Sequence, residues 1–327
     1  MGYLETHIPN KPWIRRIVDC IKEMRLYHYY AKAKEPANNQ ERIIIYMADG
    51  RMKHGGLADR LCGMISAYNY SKKNGYQFKI HYINPFNIKE IFVPNTYNWQ
   101  IMEDDISYNS KDSRPVYVSC LSKYHEAERY FNNKIGAKVY KQIHLYTNAR
   151  YFYKKEFSEF FNELFRPSYL LKSVLKENEQ RLPEHYISLT FRFQQLLGDF
   201  KEDGFPTLKS EKEKQMLINK CMKCLIKLRN EQNLPVLVTS DSVTFLHEAE
   251  KLENIYTIPG SFKHMEYVTG LVDISEIIKS YVDFFMLAKA DTIYLCNLLP
   301  LYKSRFAETA SFVYNKPYIV LTEDYIE

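Results

Sequence analysis

The chain has 327 residues, 46% hydrophobic and 26% charged, which is an ordinary globular composition with length enough for one large or two medium cores. Its 45 basic and 39 acidic residues mix along the whole length, so a net charge of +6 favours an anionic ligand or surface without marking a nucleic-acid binder. No run approaches the ~20 apolar residues that cross a bilayer, and the first residues lack the positive-then-apolar pattern of a secretory leader. The six dispersed cysteines give no disulfide framework, so a reduced, cytoplasmic setting is expected.

Ile14, Ile17, Val18, Ile21 and Met24 recur at helical spacing, with Arg15, Arg16, Lys22 and Arg25 beside them. Pro12 suits the start of that helix. Such a stripe packs on its own domain or, in the alternative reading, lies on an anionic membrane surface, which would make the protein peripheral at the inner membrane face. Residues 34–40 read as a turn or linker. The first α/β unit then follows: a strand over 42–47, a loop from Asp49 to Gly56, and a helix lined by Leu57, Leu61, Met64, Ile65 and Tyr68. Gly55 and Gly56 stand at the strand-to-helix passage, where missing side chains let backbone approach a ligand. A plain structural turn explains the same pair. Arg60, one turn on, could hold a phosphate through paired hydrogen bonds or form a surface ion pair with Asp59.

After a strand at 77–83, residues 84–135 read as irregular because of Pro85, Pro94 and Pro115, a segment suited to facing a variable acceptor. A short strand is expected at 144–146, then helices over 155–163 and around 170–176. From His185 the rhythm becomes regular: strands at 185–191, 235–239, 255–258, 292–295 and 318–321 alternate with helices at 211–230, 243–251, 274–287 and 306–314. That alternation predicts a parallel sheet covered on both faces. Cys221 and Cys224 form a lone CxxC within the first of these helices, without a second ligand pair at zinc spacing.

Four places can carry chemistry. Arg192 lies just past a strand's carboxyl end among bulky apolar neighbours, and burial requires an anionic partner, either Asp199 or a diphosphate. Asp241 occupies the next such loop, Thr239-Ser240-Asp241-Ser242, and could accept hydrogen bonds from guanine or cap the following helix. Ser304, Arg305 and Phe306 open a helix whose free amides suit an anion. Asp49 and then His54 are candidates for the base that activates an acceptor hydroxyl, although Asp49 before Gly50 also reads as a turn former.

These segments, in this order, resemble the GDP-fucose-dependent fucosyltransferases, the superfamily of α1,2-, α1,6- and protein O-fucosyltransferases. His54–Gly63 is similar to its glycine-rich first motif and Thr190–Asp199 to its His-x-Arg-Arg-x-Asp motif. Thr239–Phe245 resembles its middle motif and Tyr302–Ala310 its closing one. The chain departs from the pattern at Thr190, where the motif has histidine, and at Phe193, where it has a second arginine. Its Gly198-Asp199 pair also comes late, after Gln194–Leu197.

The resemblance implies a GT-B-like α/β fold: two Rossmann-like domains with parallel sheets facing a central cleft. It assigns residues 1–180 to the glycine loop and acceptor, and 181–327 to the GDP-sugar. It implies an enzyme, an inverting glycosyltransferase that needs no metal or other cofactor and moves fucose from GDP-fucose to a glycan hydroxyl. Arg192 would hold the diphosphate, Asp241 the guanine, and Ser304, Arg305 and Phe306 the phosphate and ribose, with Gly55, Gly56 and Arg60 completing the donor site. No nucleic-acid partner is expected. A noncatalytic GDP-sugar or glycan-binding protein is the alternative, and a P-loop kinase is disfavoured because the chain has no Walker A sequence.

Overall fold

The computed structural model describes residues 12–30, 35–119, 121–136, 139–199, 205–260 and 270–327. Lys34, Cys120 and the side chains of Ile14, Arg15 and Arg16 lie outside the described residues. Backbone contacts divide the chain into two units. The first runs to Ser168 and takes back a return near 270–272, where the Val272 amide donates to the Pro85 carbonyl at 2.9 Å. The second begins at Tyr169.

In the first unit the chain forms α1 (Pro12–Tyr30), β1 (Ile43–Ala48), α2 (Leu57–Lys73), β2 (Gln77–Tyr82), β3 (Phe92–Pro94) and β4 (Ser113–Val118). It continues through α3 (Tyr124–Ile135), β5 (Gln142–Thr147), α4 (Lys154–Leu164) and β6 (Phe165–Pro167). Four strands make a parallel sheet in the order β2-β1-β5-β4, and β3 pairs antiparallel with β6. Residues 84–135 are thus more regular than their prolines suggested. Among the described residues β4 pairs only with β5, and an edge strand has an open side on which the missing N–H of Pro115 costs nothing.

α1 forms as its spacing predicts but packs on the unexpected face. Ile17, Ile21 and Met24 are exposed, while Asp19, Glu23, Leu26 and Tyr30 are buried. The two acids have specific partners below: Ser119 Oγ and Tyr130 Oη donate to Asp19, and Lys134 Nζ and the Tyr117 amide donate to Glu23 at 2.6 and 2.8 Å. Satisfied hydrogen bonds make those acids better inward residues than the apolar stripe.

The second unit comprises α5 (Tyr169–Glu179), β7 (Ile187–Phe191), α6 (Glu211–Gln232), β8 (Val236–Ser240), α7 (Val243–Ala249) and β9 (Ile255–Tyr256). It ends with α8 (Ile278–Lys289), β10 (Ile293–Cys296), α9 (Phe306–Val313), β11 (Tyr318–Leu321) and α10 (Glu323–Ile326). α5 packs on α8 and so belongs here, although the sequence reading placed residues 169–180 with the first domain. The sheet is parallel throughout, in the order β11-β10-β7-β8-β9. β7 is central: the chain winds outward through β8 and β9, then crosses to build β10 and β11 on the other side. The loops after β7 and β10 therefore diverge, and such a switch point opens a crevice at the carboxyl edge.

α6 begins with a capping box between Ser210 and Glu213 and ends at Asn233 in the left-handed region. Cys221 and Cys224 are buried in the core with Cys296 of β10. A hydrogen bond with Cys296, together with burial, pushes the Cys224 thiol up, which makes it an unreactive core thiol.

Candidate functional site

The carboxyl edge of the second sheet gathers the residues expected to meet a donor. Arg192 follows β7 and Asp241 follows β8, two neighbouring parallel strands, so register alone brings them together. Arg192 Nη1 lies 2.8 Å from Asp241 Oδ2, with both side chains largely out of solvent. The Phe193 and Gln194 amides also donate to Asp241, at 2.8 and 2.7 Å. Burial raises the Asp241 carboxyl above its ordinary range, and Arg192 and these amides offset part of that rise.

Two expectations change here. Among the described residues Arg192 pairs with Asp241 and not with Asp199. Asp199 instead accepts from Ser242 Oγ, from Thr244 Oγ1 at 2.6 Å and from the Thr244 amide, which secures the start of α7. Asp241 does not cap that helix either, since Ser242 Oγ accepts from the Phe245 amide. With both Asp241 oxygens already bonded, the side chain holds the β7 loop and is poorly placed to receive guanine.

The two motif departures are explained by packing. Phe193 is fully buried, 5.0 Å from Phe245 and stacked with Phe191. A charged side chain at this position would need a partner that the aromatic cluster does not offer. Thr190 Oγ1 meets Thr239 Oγ1 at 3.0 Å across the β7–β8 pair, so two buried hydroxyls satisfy each other where the motif has histidine.

The loop between β10 and α9 is tied to the same place. The Tyr302 amide donates to the Arg192 carbonyl at 3.0 Å. Ser304 Oγ accepts from the Phe306 amide at 3.2 Å, Arg305 is exposed at the helix start, and the Phe306 ring packs edge-on against Phe284. No side chain caps α9 at the Arg305 position. Ser304 satisfies one amide of this first turn, and a helix start of this kind suits an anion.

A further pair was missed in the sequence. Lys279 and Asp283 lie one turn apart on α8, both buried, with Nζ 2.6 Å from Oδ2. Asp283 Oδ1 is buried and has no hydrogen-bond partner among the described residues. Burial raises the Asp283 carboxyl, and Lys279 opposes the rise. A helix leading into a parallel strand starts at the sheet's carboxyl edge, so the first turn of α8 belongs to the side that carries Arg192. Gly260, at φ +113°, passes so close that an added Cβ would lie 3.2 Å from Lys279 Cδ. The signal available was a Lys–Asp i,i+4 pair inside a largely apolar helix.

In the first unit, the loop after β1 holds Asp49, Gly55 and Gly56. Asp49 is paired with Arg51, accepts from Tyr146 Oη at 2.9 Å and from the Arg51 amide at 3.1 Å, and its side chain is 2% exposed. Arg51 in turn lies over Tyr108 and Tyr29. Both oxygens of the Asp49 carboxylate are thus engaged by Arg51 and Tyr146. His54 is buried against Tyr146, and burial followed by the nearby Arg60 lowers its pKa to about 3, so the imidazole is neutral and enclosed. These features count against both base candidates and give them structural work in the loop.

Gly55 has φ +78°, and a Cβ there would meet Asp59 Oδ2 at 2.6 Å. Gly56 caps α2 without a side chain. Arg60 is buried rather than at the surface. Its Nε and Nη1 donate to the Gly55 and Asn84 carbonyls, each at 3.1 Å, and its guanidinium lies over Tyr82. It braces the glycine loop, with two of its nitrogens committed to backbone. Gly63 carries a constraint that sequence reasoning missed: a Cβ there would lie 2.0 Å from the Thr147 carbonyl, so α2 contacts β5 through bare backbone.

No protein-family model matches the chain, and no curated protein sequence matches it significantly. Solved structures do match. The fucosyltransferase NodZ from Bradyrhizobium aligns with a TM-score of 0.54 at 13% identity, over 83% of this chain and 93% of that one. The same protein, described as an alpha-1,6-fucosyltransferase soaked with GDP-fucose, aligns at 0.52 and 12% identity, over 84% of this chain and 93% of that one. An Arabidopsis thaliana FUT1 mutant in complex with GDP aligns at 0.51 and 12% identity, over 96% of this chain and 80% of that one. Shared coverage this broad at such low identity is a likeness of fold, and the chain has a GDP-fucose fucosyltransferase-like fold.

Proposed function

We propose that the protein is an inverting, metal-independent fucosyltransferase that moves fucose from GDP-fucose to a hydroxyl of an oligosaccharide or surface glycan. The observation that carries this reading is Arg192, held by Asp241 at the switch point beside the start of α9. The acceptor hydroxyl oxygen attacks the sugar carbon from the face opposite the diphosphate and releases its proton to solvent. The bond to phosphate breaks, and its electron pair leaves with GDP. Charge then grows on the diphosphate, where the Arg192 guanidinium and the first-turn amides of α9 stabilise it. Asp283 replaces Asp241 as the proposed guanine ligand, because its Oδ1 is a buried acceptor without a partner among the described residues and the guanine edge presents N–H donors. Asp49 is proposed to position Arg51 and the loop after β1.

A noncatalytic GDP-sugar-binding protein is the second reading, favoured by Phe193 sitting in the core instead of offering a second cation. Donor binding is tested by calorimetric titration with GDP. Arg192→Lys should weaken affinity by about 2 kcal/mol, since one ammonium replaces a fork of donors while the ion pair with Asp241 survives. Unchanged affinity in the folded variant would remove Arg192 from the donor site under both readings.

A further inference from the structure

A helix on the surface of a water-soluble domain ordinarily turns its apolar stripe inward. α1 does the reverse along most of its described length. Ile17, Ile21 and Met24, at i, i+4 and i+7, are 51%, 42% and 63% exposed, and Cys20 beside them is exposed too. The inner face carries Asp19 and Glu23, consumed by Ser119, Tyr130, Lys134 and the Tyr117 amide. The described outer surface of the helix therefore has apolar side chains with Arg25 and His28 exposed around them and no carboxylate of its own. Lys22, part-exposed at the rim, reaches Tyr117 Oη at 3.2 Å. Tyr29, 52% exposed, stands over Arg51 at the end of the same surface.

We propose that this face of α1 lies in the interfacial region of an anionic lipid bilayer, with the apolar stripe among the acyl chains and the cationic rim at the headgroups. Charge complementarity selects this occupant. Anionic lipid matches Arg25 and Lys22, and an amphipathic helix with an apolar stripe and basic flanks is the form that lies in a membrane plane. A second copy of the chain, meeting this face across a two-fold axis, would set Arg25 and Lys22 of one protomer against those of the other. The acids turned inward also remove the repulsion that a negative surface would otherwise meet. The inference does not rest on the fucosyltransferase reading, because its readout is lipid binding.

The test is co-sedimentation of the full chain with vesicles of phosphatidylcholine alone and of phosphatidylcholine with about a third phosphatidylglycerol. Binding is expected to the anionic vesicles only, and to weaken at 0.5 M salt, where exposed charges are strongly screened. Replacing Ile17, Ile21 and Met24 together by serine should reduce the bound fraction at least about tenfold while leaving the melting temperature near that of the parent. Arg25→Glu, a single exposed change, should also reduce it. Failure to bind anionic vesicles, equal binding to both compositions, or unchanged binding of the serine variant would overturn the proposal. So would sedimentation equilibrium showing a dimer that the serine variant abolishes, since a second copy would then cover the face.

Discussion

Buried polar residues show most clearly where a sequence pattern stops informing. Arg192 needed an anion, and that much was legible from its apolar neighbours. The choice of Asp241 over Asp199 depends on which strands are adjacent, and no local pattern encodes adjacency. His54 has a parallel in His144 of β5, whose Nδ1 meets Tyr30 Oη at 2.6 Å and whose Nε2 meets Gln142 Oε1 at 3.0 Å. Burial, with smaller contributions from His81 and Arg51, lowers the His144 pKa to about 3, the value reached by His54. An unfolded histidine binds its proton near pH 6.5. Between about 3 and 6.5 the unfolded chain therefore holds more protons, and stability is full above that window and falls as pH drops through it. Urea unfolding at pH 7.5 and 5 should show a loss of roughly 2 kcal/mol per histidine, and His144→Gln should make the pH profile shallower. A profile as steep in that variant as in the parent would show that His144 is not held neutral.

At the scale of the element, periodicity and caps fared well. α2, α6 and the strands of the second sheet lie where apolar spacing and turn residues put them, because burial on one or both faces determines both the pattern and the structure. α1 and β4 are instructive departures. α1 had the right period on the wrong face, since Asp19 and Glu23 found donors on β4 and α3 that a one-helix reading cannot see. β4 was read as irregular because Pro115 disfavours a strand interior, while an edge position accepts it. Gly63 is the strictest element-level constraint in the first unit. Gly63→Ala places a methyl group 2.0 Å from the Thr147 carbonyl oxygen and 3.0 Å from the Tyr46 ring, so α2 must shift off β5. A loss of about 2–4 kcal/mol is expected, the upper range for overpacking at a backbone contact. Denaturant unfolding that moves by less than 0.5 kcal/mol, a threshold typical of surface changes, would show that the helix has room there.

For the molecule as a whole, the parallel α/β architecture and the strand-end placement of Arg192, Asp241 and Ser304 could be read from the alternation of strands and helices, since that rhythm forces carboxyl ends onto one edge. The roles within the edge could not. Asp241 is committed to Arg192 and two amides, Asp283 keeps a free oxygen, and Arg60 braces a loop; each assignment requires knowing partners distant in sequence. The central claim, transfer from a GDP-sugar, is tested most directly by incubating the purified full chain with GDP-fucose radiolabelled in the sugar and a panel of oligosaccharides, then separating glycan, free fucose and nucleotide sugar. The account predicts label in a glycan product with inverted configuration at the sugar carbon, in reactions containing excess EDTA. Label that remains on the nucleotide or appears only as free fucose across the panel, from protein that binds GDP, would contradict transfer and leave the noncatalytic reading in its place.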